Sequence, residues 1–220
     1  MKNNWKENIK KYDLFWPDEH IIRFLNKSYG KTMRESIKIL DFGCGSGRNT
    51  MGIALEGFDT YAVDIVKECV EMTNKKLNQF SISAYIKQNE GIKIPFQDCF
   101  FDCIICWGTL FLHDRYKVKQ LLNEKNRVLK KGALLFANWR NCEDALYEKG
   151  KKIDENTFYI KEEVGNTGIK EMIYFFASKE EIIKLYRECG FEIYNIERMD
   201  YIINNMTFKN SHWHIWARKI

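Results

Sequence analysis

A glycine-rich segment lies between a short apolar run and a predicted helix, where the main chain could bind a ligand. Residues 41–47 read DFGCGSG, so three glycines recur at every second position behind Asp41. Glycine lets the backbone approach a ligand closely. The dinucleotide pattern G-x-G-x-x-G fails in both registers, because its last position falls on Arg48 or Thr50. The pattern that fits is [DE]-x-G-x-G-x-G.

A second carboxylate follows the next apolar run. Residues 58–63 read FDTYAV, and Asp64 stands directly behind them. A carboxylate at the end of the second strand of an open parallel sheet can accept hydrogen bonds from both hydroxyls of a ribose. The glycine segment and Asp64 together therefore indicate a ligand that contains ribose.

Positioning these groups requires strands that alternate with helices. Apolar runs predict strands at 37–42, 58–63, 83–87, 101–106 and 133–138, and the intervening periodic segments predict helices at 48–56, 66–80 and 116–129, the last stopped by Gly132. A further helix opens with Pro17 at its first position and closes at Gly30. Near-continuous apolar strands of this kind form a parallel sheet that is covered by helices on both faces.

The regular alternation stops after Trp139. Residues 141–177 are polar, with β-like runs at 157–161 and 171–176, and a capping box at Ser178 begins a helix that ends at Gly190. Two strands, at 191–201 and 213–218, have a connection too short for a crossover helix, so they should pair antiparallel. We expect one domain with a helical lid (1–35), a ligand-binding core (36–140), an inserted lid (141–177) and a C-terminal unit (178–220).

Charge and cysteine content exclude several classes of protein. The chain has 35 basic and 30 acidic residues, a net charge of +5, and its lysines are dispersed along the predicted helices, which favours a solvated surface over a nucleic-acid-binding face. Seven cysteines, some in apolar runs, predict free thiols and a reducing compartment, the cytoplasm. No apolar run approaches the roughly 18 residues of a membrane helix.

A metal site is not predicted. Cys103 and Cys106 have an odd separation on one strand, so their thiols should point to opposite faces of the sheet. His212 and His214 share a strand face but have no evident third ligand. We expect one of these histidines to line the cleft or to stack on Trp213 or Trp216.

The motif set resembles the class I S-adenosylmethionine-dependent methyltransferases over nearly the whole chain. Residues 89–96, NEGIKIPF, match the family loop G-D-A-x-x-L-P-F, with Glu90 at the carboxylate position. Residues 101–104, FDCI, match F-D-x-I, and 127–133, RVLKKGA, match R-V-L-K-P-G-G with Lys131 for proline and Ala133 for the second glycine. Residues 189–192, CGFE, match the end of a family helix.

The resemblance implies S-adenosylmethionine as cofactor, S-adenosylhomocysteine as product and no metal. The fold it implies is Rossmann-like α/β, a doubly wound seven-stranded sheet, mostly parallel with a C-terminal antiparallel strand and helices on both faces. The implied cofactor residues follow the first four strands: Asp41, Gly43, Cys44, Gly45, Gly47, Asp64, Ile65, Glu90, Gly91, Ile92 and Trp107. In the family, the glycine loop wraps the methionine portion, and the residue matching Asp41 orients that loop and the ammonium. Asp64 would hold the ribose, Ile65 and the 90–92 segment the adenine, and Trp107 would lie beside the sulfonium.

The outline is similar to small-molecule methyltransferases of the type 11/12 group. Methyltransferases of amino groups in bases carry [DN]-P-P-[YF] after the fourth strand, whereas residues 106–109 read CWGT. Cytosine-C5 methyltransferases use a Pro-Cys nucleophile, but neither Pro17 nor Pro95 precedes a cysteine. We therefore expect methyl transfer to an O or N atom of a small polar metabolite or sugar-type acceptor, by a monomer or homodimer without nucleic-acid or membrane partners. An RNA-modifying enzyme and a non-catalytic binding subunit remain alternatives.

Residues that the fold should place above the strand ends are the acceptor candidates: Tyr12, Trp16, Phe111, Trp139 and Arg140. The aromatic residues could equally pack in the core or lid, and Arg140 could pair with an acceptor anion or with an acid such as Glu143.

His113 is the candidate general base. It follows the fourth strand by a few residues, and an imidazole titrates near pH 6.5. Its alternative role is a contact to the helix that starts near Tyr116. His20 should lie on an outer helix, and His212 and His214 at the far edge of the sheet.

Overall fold

The computed structural model describes Ile9, residues 13–164 and residues 170–220 of the chain. Its strands are β1 (Lys38–Phe42), β2 (Asp59–Asp64), β3 (Tyr85–Gln88), β4 (Phe101–Cys106), β5 (Leu129–Arg140), β6 (Lys151–Asp154), β7 (Thr157–Ile160), β8 (Met172–Phe175), β9 (Phe191–Ile203) and β10 (Phe208–Lys219). Seven of them form one sheet in the order β3-β2-β1-β4-β5-β10-β9.

The strand directions confirm the predicted fold class. β1 pairs parallel with β2 and β4, β2 with β3, and β4 with β5, whereas β10 is antiparallel to both of its neighbours. The placement of His212 and His214 at the sheet edge was wrong. β10 folds back from β9 into the space next to β5, so β9 takes the edge, and the two histidines lie opposite Arg140 and Asn138 of β5.

Five helices with described bounds cover the sheet: α1 (Glu19–Ser28), α2 (Arg48–Leu55), α3 (Lys67–Gln79), α4 (Arg115–Val128) and α5 (Lys179–Glu188). Buried side chains of α1 and α2 pack in one apolar layer, and those of α4 and α5 pack in the other. Because successive strand residues face opposite ways, Cys103 lies in the first layer and Cys106 in the second, as predicted. All seven thiols are free.

Several element boundaries differ from the prediction, and two of them have a clear local cause. Asp18 is the N-cap of α1, with its side chain accepting from the backbone of His20, so Pro17 precedes the cap and is not the first helical residue. α4 ends at Val128, and β5 begins at once with Leu129; Gly132, predicted to stop the helix, lies within that strand with φ +76°. The register shift between Phe101 and Cys103 of β4 accompanies this extended start.

The insertion after β5 is a small antiparallel sheet in the order β6-β7-β8. The structure confirms the predicted β-like runs as β7 and β8. It adds β6, whose exposed and charged sequence KKID gave no strand pattern. β8 packs against the short 3-10 helix Leu110–Leu112 that follows β4. Within the described ranges, no helix has the length and apolar character needed to cross a membrane.

Candidate functional site

A cleft of about 470 Å³ opens beyond the carboxyl ends of β1, β2 and β4. This is the edge at which open α/β sheets bind ligands. The predicted site residues that line it are Gly43, Cys44, Gly45, Asp64, Ile65, Gly91, Trp107 and His113. Leu14, Lys117 and Met172 also line the cleft, and no sequence pattern marks them because they come from separate segments.

The glycine loop is held between two threonines. Gly43 and Gly47 have φ angles of +80° and +83°. A Cβ on Gly43 would lie 2.5 Å from the Thr109 hydroxyl oxygen, and one on Gly47 would lie 2.7 Å from that of Thr73. Both the backbone conformation and the space therefore require glycine at these positions. Gly47 does not line the cleft; it packs the loop against α3.

Asp64 connects the second strand to this loop. Its carboxylate accepts hydrogen bonds from the backbone N–H groups of Gly45 and Val66, each at 2.9 Å. Burial raises the pKa of Asp64 above its usual value, while these backbone donors favour the ionised form. Asp64 lines the cleft, so its carboxylate borders the space that ligand hydroxyls would occupy.

Asp41 lies behind the loop and does not line the cleft. It is 1% exposed and accepts a hydrogen bond of 2.6 Å from the hydroxyl of Thr50 on α2. Burial raises the pKa of Asp41 to about 6. The Asp41 carboxylate links β1 to α2. Its buried position does not provide the predicted contact with a ligand ammonium.

Beside Asp64, at the end of β3, Asn89 occupies the place predicted for Glu90. Glu90 is exposed and Ile92 packs against the core, so neither lines the cleft. Asn89 does line it, is 2% exposed, and its Oδ1 has no hydrogen-bond partner among the described residues. The family motif predicts the carboxylate of Glu90 at this place, whereas the buried polar group is the side-chain amide of Asn89, one residue earlier.

Two observations indicate that the cleft fits a nucleoside cofactor. Asn89 offers a free buried acceptor, and an unsatisfied buried polar atom is costly without a ligand or water. A Cβ at Gly91 or at Gly108 would meet no atom within 4 Å, so both glycines border open space in the cleft.

Trp107 forms the cleft wall after β4 and packs on histidines. Its ring lies 4.8 Å from that of His214 and 6.1 Å from that of His20, between ring centroids. His214 thus contacts Trp107, not the predicted Trp213 or Trp216, and neither His212 nor His214 lines the cleft. His20, assigned to an outer helix, faces this cluster from α1.

His113 lines the cleft and is half-buried. Burial, together with the positive charge of Lys117, lowers the pKa of His113 to about 4. The imidazole is therefore neutral at pH 7 and can accept a proton.

The acceptor candidates that the structure describes lie outside the cleft. Trp139 is a core residue, with 0% exposure and its Nε1 donating to the Tyr186 hydroxyl at 3.0 Å, so its assignment to the acceptor site was wrong. Trp16 is 74% exposed on the surface, and Tyr12 lies outside the described residues. Phe111 is buried beneath β8.

Arg140 has a partner within the chain. It is buried and pairs with Asp144 at 2.6 Å, not with Glu143, which binds Arg198 on the surface. The preference follows from burial, because the Asp144 side chain has no exposed surface whereas that of Glu143 is largely exposed.

We expect Trp139→Phe to lower the free energy of unfolding by about 1–2 kcal/mol, because it removes one buried hydrogen bond and some packing. Urea denaturation of this variant and of Trp16→Phe, an exposed control, measures the effect. Cofactor affinity should stay at its wild-type value in both variants. A loss of cofactor affinity in Trp139→Phe would show that packing of this residue in the core also supports the cofactor site.

Comparisons with known proteins agree with this geometry. Residues 39–132 match a family described as methyltransferase domain. YqeM of Bacillus subtilis (strain 168), which carries the name of a methyltransferase, is 27% identical over 107 residues, or 48% of this chain and 43% of that protein. A protein of Geobacillus sp. (strain WCH70) with a methyltransferase name is 25% identical over 76% of this chain and 72% of its own length. The aligned region thus spans less than half of YqeM.

A solved structure extends the similarity to most of the chain. The SAM-dependent methyltransferase from Methanosarcina mazei superposes with a TM-score of 0.71 at 25% identity, covering 83% of this chain and 92% of that one. Residues 39–132 thus match a methyltransferase domain, and the chain is similar in sequence and fold to class I S-adenosylmethionine-dependent methyltransferases.

Proposed function

We propose that this chain transfers a methyl group from S-adenosylmethionine to an O or N atom of a small polar acceptor, a metabolite or sugar-type compound, and releases S-adenosylhomocysteine. The observation that carries the proposal is the Asp64 carboxylate, which holds the glycine loop at Gly45 and also borders the cleft. The bound cofactor would supply a sulfonium-linked methyl group, and the loop would bind its amino-acid portion. We also propose the cytoplasm as the compartment, supported by the seven free thiols.

The residues of the chain have separate tasks in this proposal. Asp64 and Asn89, which are neighbours at the ends of β2 and β3, would bind the nucleoside portion. The Trp107 ring would border the sulfonium, since aromatic rings attract cations. His113 would take the proton that a neutral hydroxyl acceptor loses as it attacks, or the proton that an ammonium acceptor must lose before its nitrogen can attack. Holding the two reactants in line would supply most of the rate enhancement.

Calorimetry in the presence of a chelator tests cofactor binding directly. We expect saturable heats for both S-adenosylmethionine and S-adenosylhomocysteine in EDTA, because the described residues contain no group of three or more metal-ligating side chains. NAD serves as the control nucleotide, and we expect no binding because the glycine spacing differs from the dinucleotide pattern. The absence of both heat and thermal stabilisation with the methyl donor would refute the proposal.

A further inference from the structure

Three polar side chains meet behind the cleft, where β5 ends, β10 begins and β8 of the insertion packs down. They are Arg140, His212 and Tyr174, and Phe111 lies among them. The Arg140 guanidinium carbon is 5.6 Å from the ring centre of Phe111 and 5.4 Å from that of Tyr174. The His212 ring is 6.0 Å from the Phe111 ring. We call this group the Arg140 cluster.

Each of the three polar residues has a buried atom without a hydrogen-bond partner among the described residues. These atoms are Arg140 Nε, the Tyr174 hydroxyl oxygen and His212 Nε2. Arg140 is 7% exposed and Tyr174 is 2% exposed. Three such atoms in one place are unusual, since buried polar atoms in folded proteins nearly always have partners.

All three atoms are hydrogen-bond donors. The guanidinium Nε always carries a hydrogen. Burial raises the pKa of Tyr174 to about 12, so its hydroxyl stays protonated at neutral pH. Burial and the charge of Arg140 lower the pKa of His212 to about 3, so its ring is neutral and only one of its nitrogens carries a hydrogen.

Asn138 fixes which nitrogen that is. The Asn138 Oδ1 accepts a hydrogen bond of 2.6 Å from the backbone N–H of Gly108, which leaves its Nδ2 to face His212 Nδ1 at 3.5 Å. Since Nδ2 can only donate, Nδ1 must accept, and the hydrogen of the neutral ring belongs to Nε2. The Asp144 carboxylate, 3.9 Å from Nε2, favours the same tautomer.

The charge balance of the cluster limits the kind of group that can join it. Asp144 neutralises Arg140 and also accepts hydrogen bonds from the backbone N–H groups of Ser211 and Leu146. The pair therefore carries no net charge. A dianion added here would leave two uncompensated buried charges, whereas a monoanion would leave one, shared among three donors.

We propose that the Arg140 cluster binds a carboxylate group of the methyl acceptor, so that the substrates of this enzyme are small carboxylic acids. This inference rests on the proposed methyltransferase function. The cluster adjoins the cleft through Gly108, which lines the cleft and holds Asn138, and through Met172, which lines the cleft two residues before Tyr174 on the same face of β8. A carboxylate held there leaves the remainder of the acceptor to extend into the cleft.

Binding can be measured without turnover. Protein labelled with 15N-histidine and saturated with S-adenosylhomocysteine is titrated with acetate, acetamide or inorganic phosphate at constant ionic strength, and the His212 Nε2 resonance is followed, assigned by its loss in His212→Gln. We expect a saturable shift with acetate and at least tenfold weaker binding of acetamide and phosphate.

Variants separate a binding role from a structural one. Tyr174→Phe removes one donor oxygen and should weaken acetate binding about tenfold. Tyr159→Phe is the matched control, because Tyr159 pairs with Ile173 and so lies on the other face of the insertion, and it should leave binding unchanged. Arg140→Gln should abolish the acetate response; if that variant fails to fold, Tyr174→Phe still decides.

Several results would overturn the inference. They are equal binding of acetate and acetamide, tighter binding of phosphate, or unchanged acetate affinity in Tyr174→Phe. Acceptors found by S-adenosylhomocysteine release should carry a carboxylate, and a good acceptor without one would also contradict it. Failure of cofactor binding is a separate outcome, because the acetate titration can be repeated without cofactor.

Discussion

Replacing His113 by alanine should lower the turnover number about 10²- to 10⁴-fold, the range expected for loss of a general base. The imidazole lines the cleft behind the loop that follows β4, and it is neutral at pH 7. A neutral hydroxyl or ammonium acceptor must lose a proton during methyl transfer, and without His113 that proton has to pass to water. The measurement is the rate of S-adenosylhomocysteine release at saturating acceptor.

Cofactor affinity should be unchanged in His113→Ala, which distinguishes a base from a binding residue. His20→Gln is the matched control, because His20 packs near Trp107 from α1 but does not line the cleft. We expect the control to keep most of its activity. Nearly full activity in His113→Ala would mean that the acceptor atom is already anionic or deprotonated, so that positioning alone suffices.

The pH dependence of kcat/KM provides an independent check on His113. The active form of a general base is the neutral ring, and burial lowers the pKa of His113 to about 4. Activity that depends on this ring should therefore be insensitive to its ionisation above about pH 5 and should fall as the pH drops through about 4. If kcat/KM instead fell as the pH dropped through about 6.5, the pKa of a solvated imidazole, His113 would be hydrated in the catalytically active state.

The fold could be predicted largely from local pattern. Apolar strands that alternate with helices specify a parallel sheet, and the short connection between the last two strands specifies their antiparallel pairing. Pattern did not reveal that β10 would enter between β5 and β9, because strand order is decided by packing between distant segments. Trp139 was misplaced for a related reason. The sequence places it near the end of β5, but only the packing of α5 shows that its indole binds Tyr186 in the core.

Local sequence predicts some residues of the candidate site, whereas only the tertiary structure brings the others together. The glycine loop and Asp64 are local signals, since their roles depend on residues a few positions from a strand end. Asn89 directly precedes the predicted residue Glu90, and the family motif places the functional side chain on Glu90 instead. Tyr174 and His212 come from segments far from the loop, and only tertiary structure brings them to Arg140.

Replacing Asp64 by alanine should weaken cofactor binding by about 1.5–3 kcal/mol, a factor of about 10 to 150, the usual scale for losing hydrogen bonds to a charged group. Two effects act together. The variant loses the acceptor proposed for the ribose hydroxyls, and it releases the backbone N–H groups of Gly45 and Val66 that the carboxylate now holds. Calorimetry with S-adenosylhomocysteine measures the change.

Asp59→Ala is the matched control for this experiment. Asp59 begins β2, the strand that Asp64 ends. It pairs with Lys38 at the end of the strands that lies away from the cleft. The same change of side chain there should leave the affinity at its wild-type value. Asp64→Asn should lie between the two, because the amide oxygen can still accept from Gly45 although its charge is gone. If Asp64→Ala bound the cofactor as tightly as Asp59→Ala does, the ribose would be held elsewhere in the cleft, and the role of Asp64 would be confined to fixing the glycine loop.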